Sequence, residues 1–294
     1  MDFPEFDRRT FVVGDALKAF ENRGCVLLRG VISPEDVASI QRLALQFERE
    51  MTSRALRGDK EVEVLFFSEG HGNRPWECDV EGALFTAHLL HLHRRAFGWS
   101  LIEAICGSNR LTVPLNHMIL RRHTDSGGHV ARRNGEFFNL ESCHQDANNV
   151  NPKLPVTIWT ALQDMKRRSN APGVGVIAGN VGEILPHPIE PEIFDDPRYA
   201  VWTPDYKADD VMLFSNLAPH FSPVYGTGRT RFSIDFRACA ADHLPANLKN
   251  EAFLTVLRDI DNGDVTLSIG NMPGGPVGDR LADVLTNPRY LFPA

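Results

Sequence analysis

No CxxC pair occurs in the 294-residue sequence; its five cysteines stand alone at positions 25, 78, 106, 143 and 239. An odd set of isolated thiols speaks against a disulfide framework and for free cysteines in a reducing cytoplasm. No apolar stretch approaches the ~18 residues of a membrane span. The acidic opening Met1-Asp2-Phe3-Pro4-Glu5-Phe6-Asp7 lacks the apolar segment of a secretory signal. A cytoplasmic protein with no membrane partner is the expectation. Long runs of like charge are missing as well. The net charge is −7, and the basic pairs and triplets Arg121-Arg122, Arg132-Arg133 and Lys166-Arg167-Arg168 lie scattered. Nucleic acid is therefore not an expected partner. These clusters read first as solvated loop charges, and second as a grip on an anionic substrate. Repeats and low-complexity segments are absent.

What is present suits one globular domain. The chain is 43% hydrophobic and 23% charged, and at this length it buries a large core without covalent staples. No linker divides it, so a single domain over 1–294 is expected. Its first part, to about residue 110, reads as helix-rich. Gly24–Gly30 predicts a short strand between glycine turns. Ser33-Pro34-Glu35-Asp36 predicts a helix start with Ser33 as N-cap, followed by Val37, Ile40, Ala44 and Phe47 at helical spacing. A second helical region is expected from Ala83 to Ile105, interrupted at Gly98, with a fresh capping box at Ser100–Glu103. From Leu111 the character changes to short apolar runs split by Gly, Pro, Asn and Asp. Thr112–Leu120, Gly135–His144, Val156–Leu162, Gly173–Ala178, Val211–Ser215 and Phe232–Arg237 are candidate strands of an antiparallel sandwich or barrel. After about residue 239, one helix near Leu248–Asp259 and a Gly/Pro-rich loop at Gly270–Gly278 are expected.

Two HxD patterns stand out, His123-Thr124-Asp125 and His144-Gln145-Asp146. With 21 aspartates and 11 histidines in 294 positions, about one such pair arises by chance, so context must separate them. In an extended segment His144 and Asp146 point to the same side, and Gln145 points away. They follow the apolar run Phe137–Leu140 and precede the strand-like Val156–Leu162, where rigid elements can fix ligands. His123 and Asp125 lead into Ser126-Gly127-Gly128-His129, which reads as a surface loop or a lid over substrate. His220 lies in a loop after the strand-like Val211–Ser215. Two imidazoles and a carboxylate, His144, Asp146 and His220, can cover one face of an iron(II) ion and leave positions open for a co-substrate and oxygen. Arg231 opens an alternating segment in which Arg231, Ser233 and Asp235 share one face and Phe232, Ile234 and Phe236 the other. Spacing alone leaves open which face is inside. If the polar face is inside, a buried arginine needs an anionic partner, such as a dicarboxylate held by a two-pronged contact.

On these residues the sequence resembles the phytanoyl-CoA dioxygenase-like (PhyH) branch of the iron(II)- and 2-oxoglutarate-dependent oxygenases, over roughly Phe20 to Arg237. The resembling stretches are FENRGCVLLRGVIS, HQDANN with WTALQDM, and DDVMLFSNLAPHFSPVYGTGRTRFSIDFR, where the arginine stands eleven residues past the distal histidine (231 − 220 = 11). The resemblance implies a mainly β fold with flanking helices around a double-stranded β-helix (jelly-roll, cupin-like) core, about 111–238. It implies His144, Asp146 and His220 as iron ligands, Arg231 on the distal carboxylate of 2-oxoglutarate, Ser222 and Ser233 beside it, and Trp159 lining the site, with core packing as the other reading of Trp159. The implied activity is a dioxygenase that uses Fe(II), 2-oxoglutarate and O2 to hydroxylate or otherwise oxidise a small molecule, releasing succinate and CO2. Related halogenases carry Gly or Ala where Asp146 stands, so the carboxylate argues for oxidation without halide. Two features of the family are missing: the proline-glycine-serine-histidine turn is replaced by Asn170–Asn180, and no asparagine stands near Pro223-Val224-Tyr225. Substrate contacts are expected from Glu61–Gly72, from His123–Arg133 and from the tail, with Arg121, Arg122 and His123 as candidate grips on an anionic group. Two other classes fit the same residues: a cupin-like isomerase or hydrolase using zinc or manganese, and a barrel that binds a ligand without catalysis.

Overall fold

In the computed structural model the chain is mostly β with some helices. The structure describes residues 3–59, 89, 93, 96–125, 130–133, 136–139, 143–147, 154–166, 171–179, 182–186, 189–249, 253–258 and 265–270. Along the chain run β1 (Glu5–Asp7), α1 (Val13–Arg23), β2 (Cys25–Arg29), α2 (Pro34–Leu56), a short helix Trp99–Cys106, β3 (Arg110–Pro114), β4 (Ile119–Thr124), β5 (Val130–Arg133), β6 (Glu136–Asn139), β7 (Val156–Ala161), β8 (Gly175–Ala178), β9 (Ala200–Trp202), β10 (Val211–Ser215), β11 (His220–Phe221), β12 (Thr230–Ala240), β13 (Phe253–Arg258) and β14 (Val265–Gly270). Two compact units share the chain. One combines Met1–Val31 with Arg122–Ser233, the other Ile32–Arg121 with Ile234–Ala294.

The first unit is built from two sheets. Strand β2 is released from α1 by Gly24, whose φ of 71° places it in the left-handed region that closes a helix without a Cβ penalty. β2 pairs in parallel with β1 and antiparallel with β10, bringing Leu27 opposite Met212. β10 pairs antiparallel with β7, bringing Met212 opposite Trp159 and Phe214 opposite Thr157. The second sheet has the order β11-β8-β9, with His220 opposite Val176 and Val176 opposite Trp202. Strand alternation sends Cys25, Leu27, Trp159, Met212 and Phe214 from the first sheet, and Val176, Ala178 and Trp202 from the second, into one shared core with Tyr206. The opposite face of β8 sends Ile177 into a smaller cluster with Cys143, Phe194 and Phe221. β5 and β6 form a separate antiparallel pair.

In the second unit α2 begins as its sequence predicts. Ser33 is the N-cap, its hydroxyl accepts from the Asp36 amide at 3.2 Å, and Pro34 opens the helix. Val37, Ile40, Ala44, Phe47 and Met51 are its buried stripe. The capping box expected at Ser100 is not formed. The helix starts two residues earlier, at the buried Trp99 with Gly98 as N-cap, and the Ser100 hydroxyl donates to the Phe97 carbonyl. The expected Thr112–Leu120 strand is broken by a 3-10 turn at Leu115–His117. The expected helix over Leu248–Asp259 is corrected: Phe253–Arg258 is strand β13, paired antiparallel with β3 on one side and β14 on the other. Backbone bonds on both edges, together with the β-branched Thr255 and Val256, outweigh the helical spacing of its apolar residues. Residues 83–88, 90–92, 94 and 95 of the expected helical region, all of Glu61–Gly72, residues 126–129 and everything after Gly270 lie outside the described residues. Among the described residues no helix is long and apolar enough to cross a membrane.

Candidate metal centre

His144 and His220 are brought together by the backbone. They form an antiparallel bridge in which the His144 amide donates to the His220 carbonyl at 3.1 Å and the His220 amide donates back at 2.9 Å. On its other edge His220 pairs with Val176 of β8. The Ala147 amide donates to the Asn216 carbonyl at 2.8 Å, fixing the segment just past Asp146. Gln145 points away from its neighbours, as the alternation requires. Its amide nitrogen donates to the carbonyls of Leu217 (2.6 Å) and Glu183 (3.1 Å), and its oxygen accepts from the Leu185 amide (2.7 Å). The intervening residue is thus the anchor of the HxD segment.

The three side chains converge. The imidazole centroids are 4.2 Å apart. Asp146 Oδ1 lies 4.0 Å from His144 Nε2 and 3.9 Å from His220 Nε2. Two donors each ~2.1 Å from one ion stand at most ~4.2 Å apart, and both distances fall below that ceiling. One ligand atom from each residue lies within 4.8 Å of the others. His220 Nδ1 sits 3.2 Å from the Ala218 carbonyl. A carbonyl only accepts, so the proton belongs on Nδ1, and the Nε2 lone pair faces Asp146. Thr157 of β7 donates its hydroxyl to Asp146 Oδ2 at 2.5 Å, which engages that oxygen and leaves Oδ1 facing the two imidazoles. Phe214, opposite Thr157 in β10, packs its ring 4.6 Å from that of His220. His220 and Phe214 are buried, whereas the His144 side chain is 40% exposed, so the open side of the cluster is at His144.

Arg231 and Ser233 face inward. Arg231 is 4% exposed and Ser233 is fully buried, while Phe232 between them is less so. The guanidinium is cradled by neutral oxygens. Nη1 donates to the carbonyls of Pro172 (3.1 Å) and Gly173 (2.9 Å), and Nη2 donates to Ser222 Oγ (3.0 Å). A Cβ on Gly173 would run into the Tyr206 ring, so glycine is needed where this carbonyl passes beneath the tyrosine. Ser222 stands two residues past His220, and its hydroxyl ties the arginine to the histidine segment. The Ser233 hydroxyl is buried and has no hydrogen-bond partner among the described residues.

The other expected contacts divide. Trp159 is 2% exposed and stacks at a tilt on Tyr206, centroids 4.7 Å apart, so core packing accounts for it. Arg121 is engaged elsewhere: it makes a two-pronged pair with Asp235 at 2.6 and 3.3 Å, and Arg237 meets the same carboxylate at 2.8 Å. Arg122 is exposed and lies over the Phe232 ring, 5.7 Å from its centroid. His123 is part-exposed in β4. Asp125 of the second HxD pattern is not on a surface loop but fully buried, its carboxylate taken by the turn 225–227. Thr157 carried no signal in the sequence, and the HxD pattern of Asp125 did not point to its role, because each acts through a side-chain contact that only the folded chain creates.

No family model and no curated protein matches the chain in sequence. Solved structures do. EctD from S. alaskensis, determined with 2-oxoglutarate and 5-hydroxyectoine, matches at TM-score 0.55 and 16% identity over 80% of this chain and 78% of its own. ThoJ, a non-haem monooxygenase in its apo form, matches at 0.53 and 15% over 77% of each. SnoN, a non-haem α-ketoglutarate-dependent epimerase from nogalamycin biosynthesis, matches at 0.50 and 16% over 81% of this chain and 89% of its own. The likeness shows a shared fold.

Proposed function

We propose that this protein is a non-haem iron(II)- and 2-oxoglutarate-dependent oxygenase of the PhyH-like group that oxidises, most simply hydroxylates, a small molecule. The observation that carries the proposal is the convergence of His144, Asp146 and His220 with their donor atoms within 4.8 Å, in a chain that shares its fold with SnoN, EctD and ThoJ. Two neutral imidazoles and one carboxylate on one face form the donor set that iron(II) takes in such oxygenases. The buried Arg231 and the orphaned hydroxyl of Ser233 fit a carboxylate arriving from outside the chain. In this reading the whole chain is one oxygenase domain with a jelly-roll core, supported by two sheets that share a core in the first unit. The four described cysteines are free and buried, which fits a reducing compartment such as the cytoplasm.

When bound, iron and 2-oxoglutarate supply the oxidising chemistry, consuming O2 and releasing succinate and CO2. The chain's own residues orient and exclude. The Ala218 carbonyl sets the tautomer of His220, and Thr157 leaves Asp146 one oxygen for the metal. Arg231 with Ser222 and Ser233 would hold the far carboxylate of the co-substrate. Phe214 and the apolar core behind it keep water from the inner side of the site. Arg122 and His123 remain candidate contacts for an anionic substrate.

Anaerobic titration tests the proposal. Iron(II) with 2-oxoglutarate should give a weak visible charge-transfer band that His144→Ala abolishes and that Arg231→Ala shifts to much higher 2-oxoglutarate concentration. Intact wild-type protein that gives no band overturns the reading.

A further inference from the structure

We infer that Asp125 is a positioning residue that clamps the turn between His220 and Arg231; the ligands of those two residues rest on the oxygenase reading above. One buried carboxylate gathers three consecutive amides. Oδ1 accepts from Tyr225 N (2.9 Å) and Gly226 N (3.2 Å), and Oδ2 accepts from Thr227 N (2.8 Å) and Thr227 Oγ1 (2.6 Å). The main chain of Asp125 adds two more bonds: its amide donates to the Arg229 carbonyl at 2.8 Å, and its carbonyl accepts from the Gly228 amide at 3.0 Å. Successive amides turned onto one anion form a nest. The turn reaches that shape through Gly226 and Gly228, at φ 69° and 65°, where a side chain would be strained. Asp125 directly follows β4, and the adjoining Thr124 hydroxyl lies 2.9 Å from that of Thr230, next to Arg231. Burial pushes the Asp125 carboxyl up, but the hydrogen bonds from Thr227, Tyr225 and Gly226 hold it below the ordinary carboxylate range, so it is ionised.

The loop is therefore closed at both ends. Its base is the Arg231–Ser222 hydrogen bond at 3.0 Å, and its tip is held by Asp125. His220 does not depend on the tip, because His144 and Val176 hold its backbone on either edge. The span from Ser222 to Arg231 does depend on it. Loss of the clamp should loosen the carboxylate grip and leave the metal site nearly intact.

The test uses full-length Asp125→Asn, with Thr227→Val as a milder variant that removes one bond of the clamp and the acceptor of the Arg229 amide at 3.2 Å, and Thr227→Ser to restore both. Three quantities are read: amide exchange of Tyr225, Gly226 and Thr227 in the metal-free protein, iron(II) affinity, and 2-oxoglutarate affinity at saturating iron(II) without oxygen. Asp125→Asn should speed exchange at the three amides about tenfold or more and weaken 2-oxoglutarate about tenfold, with iron(II) affinity changed less than about threefold. Thr227→Val should show the same split at smaller size, and Thr227→Ser should behave like wild type. Equal losses of iron(II) and 2-oxoglutarate affinity, or unchanged 2-oxoglutarate affinity with loosened amides, overturn the inference. Should Asp125→Asn fail to fold, Thr227→Val carries the same decision. Wild type that binds iron(II) but not 2-oxoglutarate would instead sink the oxygenase reading. The clamp is then judged by exchange alone, and unchanged protection in the variants overturns it.

Discussion

One hydroxyl determines how Asp146 can act. Thr157 Oγ1 donates to Oδ2 at 2.5 Å, so only Oδ1 is turned to the imidazoles. Thr157→Val keeps the shape and removes this donor from the carboxylate. Iron(II) affinity should fall by about 10–100-fold, the usual effect of losing a partner behind a metal ligand, and Thr157→Ser should restore it. An isothermal titration that finds valine and wild type equal would remove Thr157 from the site's design. Ser233 predicts a different pattern. Its buried hydroxyl lacks a partner among the described residues, so Ser233→Ala should leave stability unchanged or raise it by about 1 kcal/mol. The same change should weaken 2-oxoglutarate several-fold, because its carboxylate then has no hydroxyl to meet. A denaturant midpoint and a co-substrate titration on one preparation check both signs, and lost stability would mean that the hydroxyl already has a use in the fold.

At the scale of elements, α2 depends on its cap. The Ser33 hydroxyl holds the Asp36 amide at 3.2 Å, so Ser33→Ala should destabilise the protein by about 1 kcal/mol, read as a lower urea midpoint with an unchanged slope; Ser33→Asp should lose little. This helix was legible in the sequence because a cap, a proline and a 3.6-residue stripe are all local. Strand β10 was legible for the same reason, as an apolar run bounded by Asp209-Asp210 and Asn216. Strand β13 was not, since what makes Phe253–Arg258 extended is the pair of neighbours β3 and β14, the first of them far away in sequence. The site divides along the same line. The HxD geometry follows from the two-residue alternation of an extended chain. Which face of β12 lies inside does not, because Arg231-Phe232-Ser233 alternates equally well either way. The second HxD pattern misled for a related reason. Asp125 sits beside a glycine-rich stretch that reads as loop, yet its partners are a hundred residues downstream.

At the scale of the whole molecule, acid sensitivity is built into the core of the second unit. His93 is 2% exposed, with its ring edge-on to Phe236 at 5.0 Å. Burial pushes its pKa from 6.5 down to about 3. The folded state refuses a proton that the unfolded chain accepts, so the group destabilises the fold only below the unfolded pKa. Its contribution is absent above about pH 6.5 and grows by about 1.4 kcal/mol per pH unit as pH falls toward 3. At pH 5 the loss should reach about 2 kcal/mol, and His93→Gln should remove that slope from urea unfolding measured between about pH 7.5 and 5. A slope that survives the substitution would place the acid sensitivity elsewhere. The pairing of β2 with β10 sets a different demand, one of timing. Leu27 meets Met212, 185 residues later (212 − 27 = 185). At a synthesis rate of ~5–20 residues per second, the apolar Cys25–Leu28 segment waits roughly 10–40 s on the ribosome for the strand that covers it. Until then neither the core behind the His144–Asp146–His220 cluster nor the cluster itself can assemble, and the nascent chain carries an exposed, strand-prone edge. Chaperone supply and growth temperature during expression should therefore govern how much active protein accumulates.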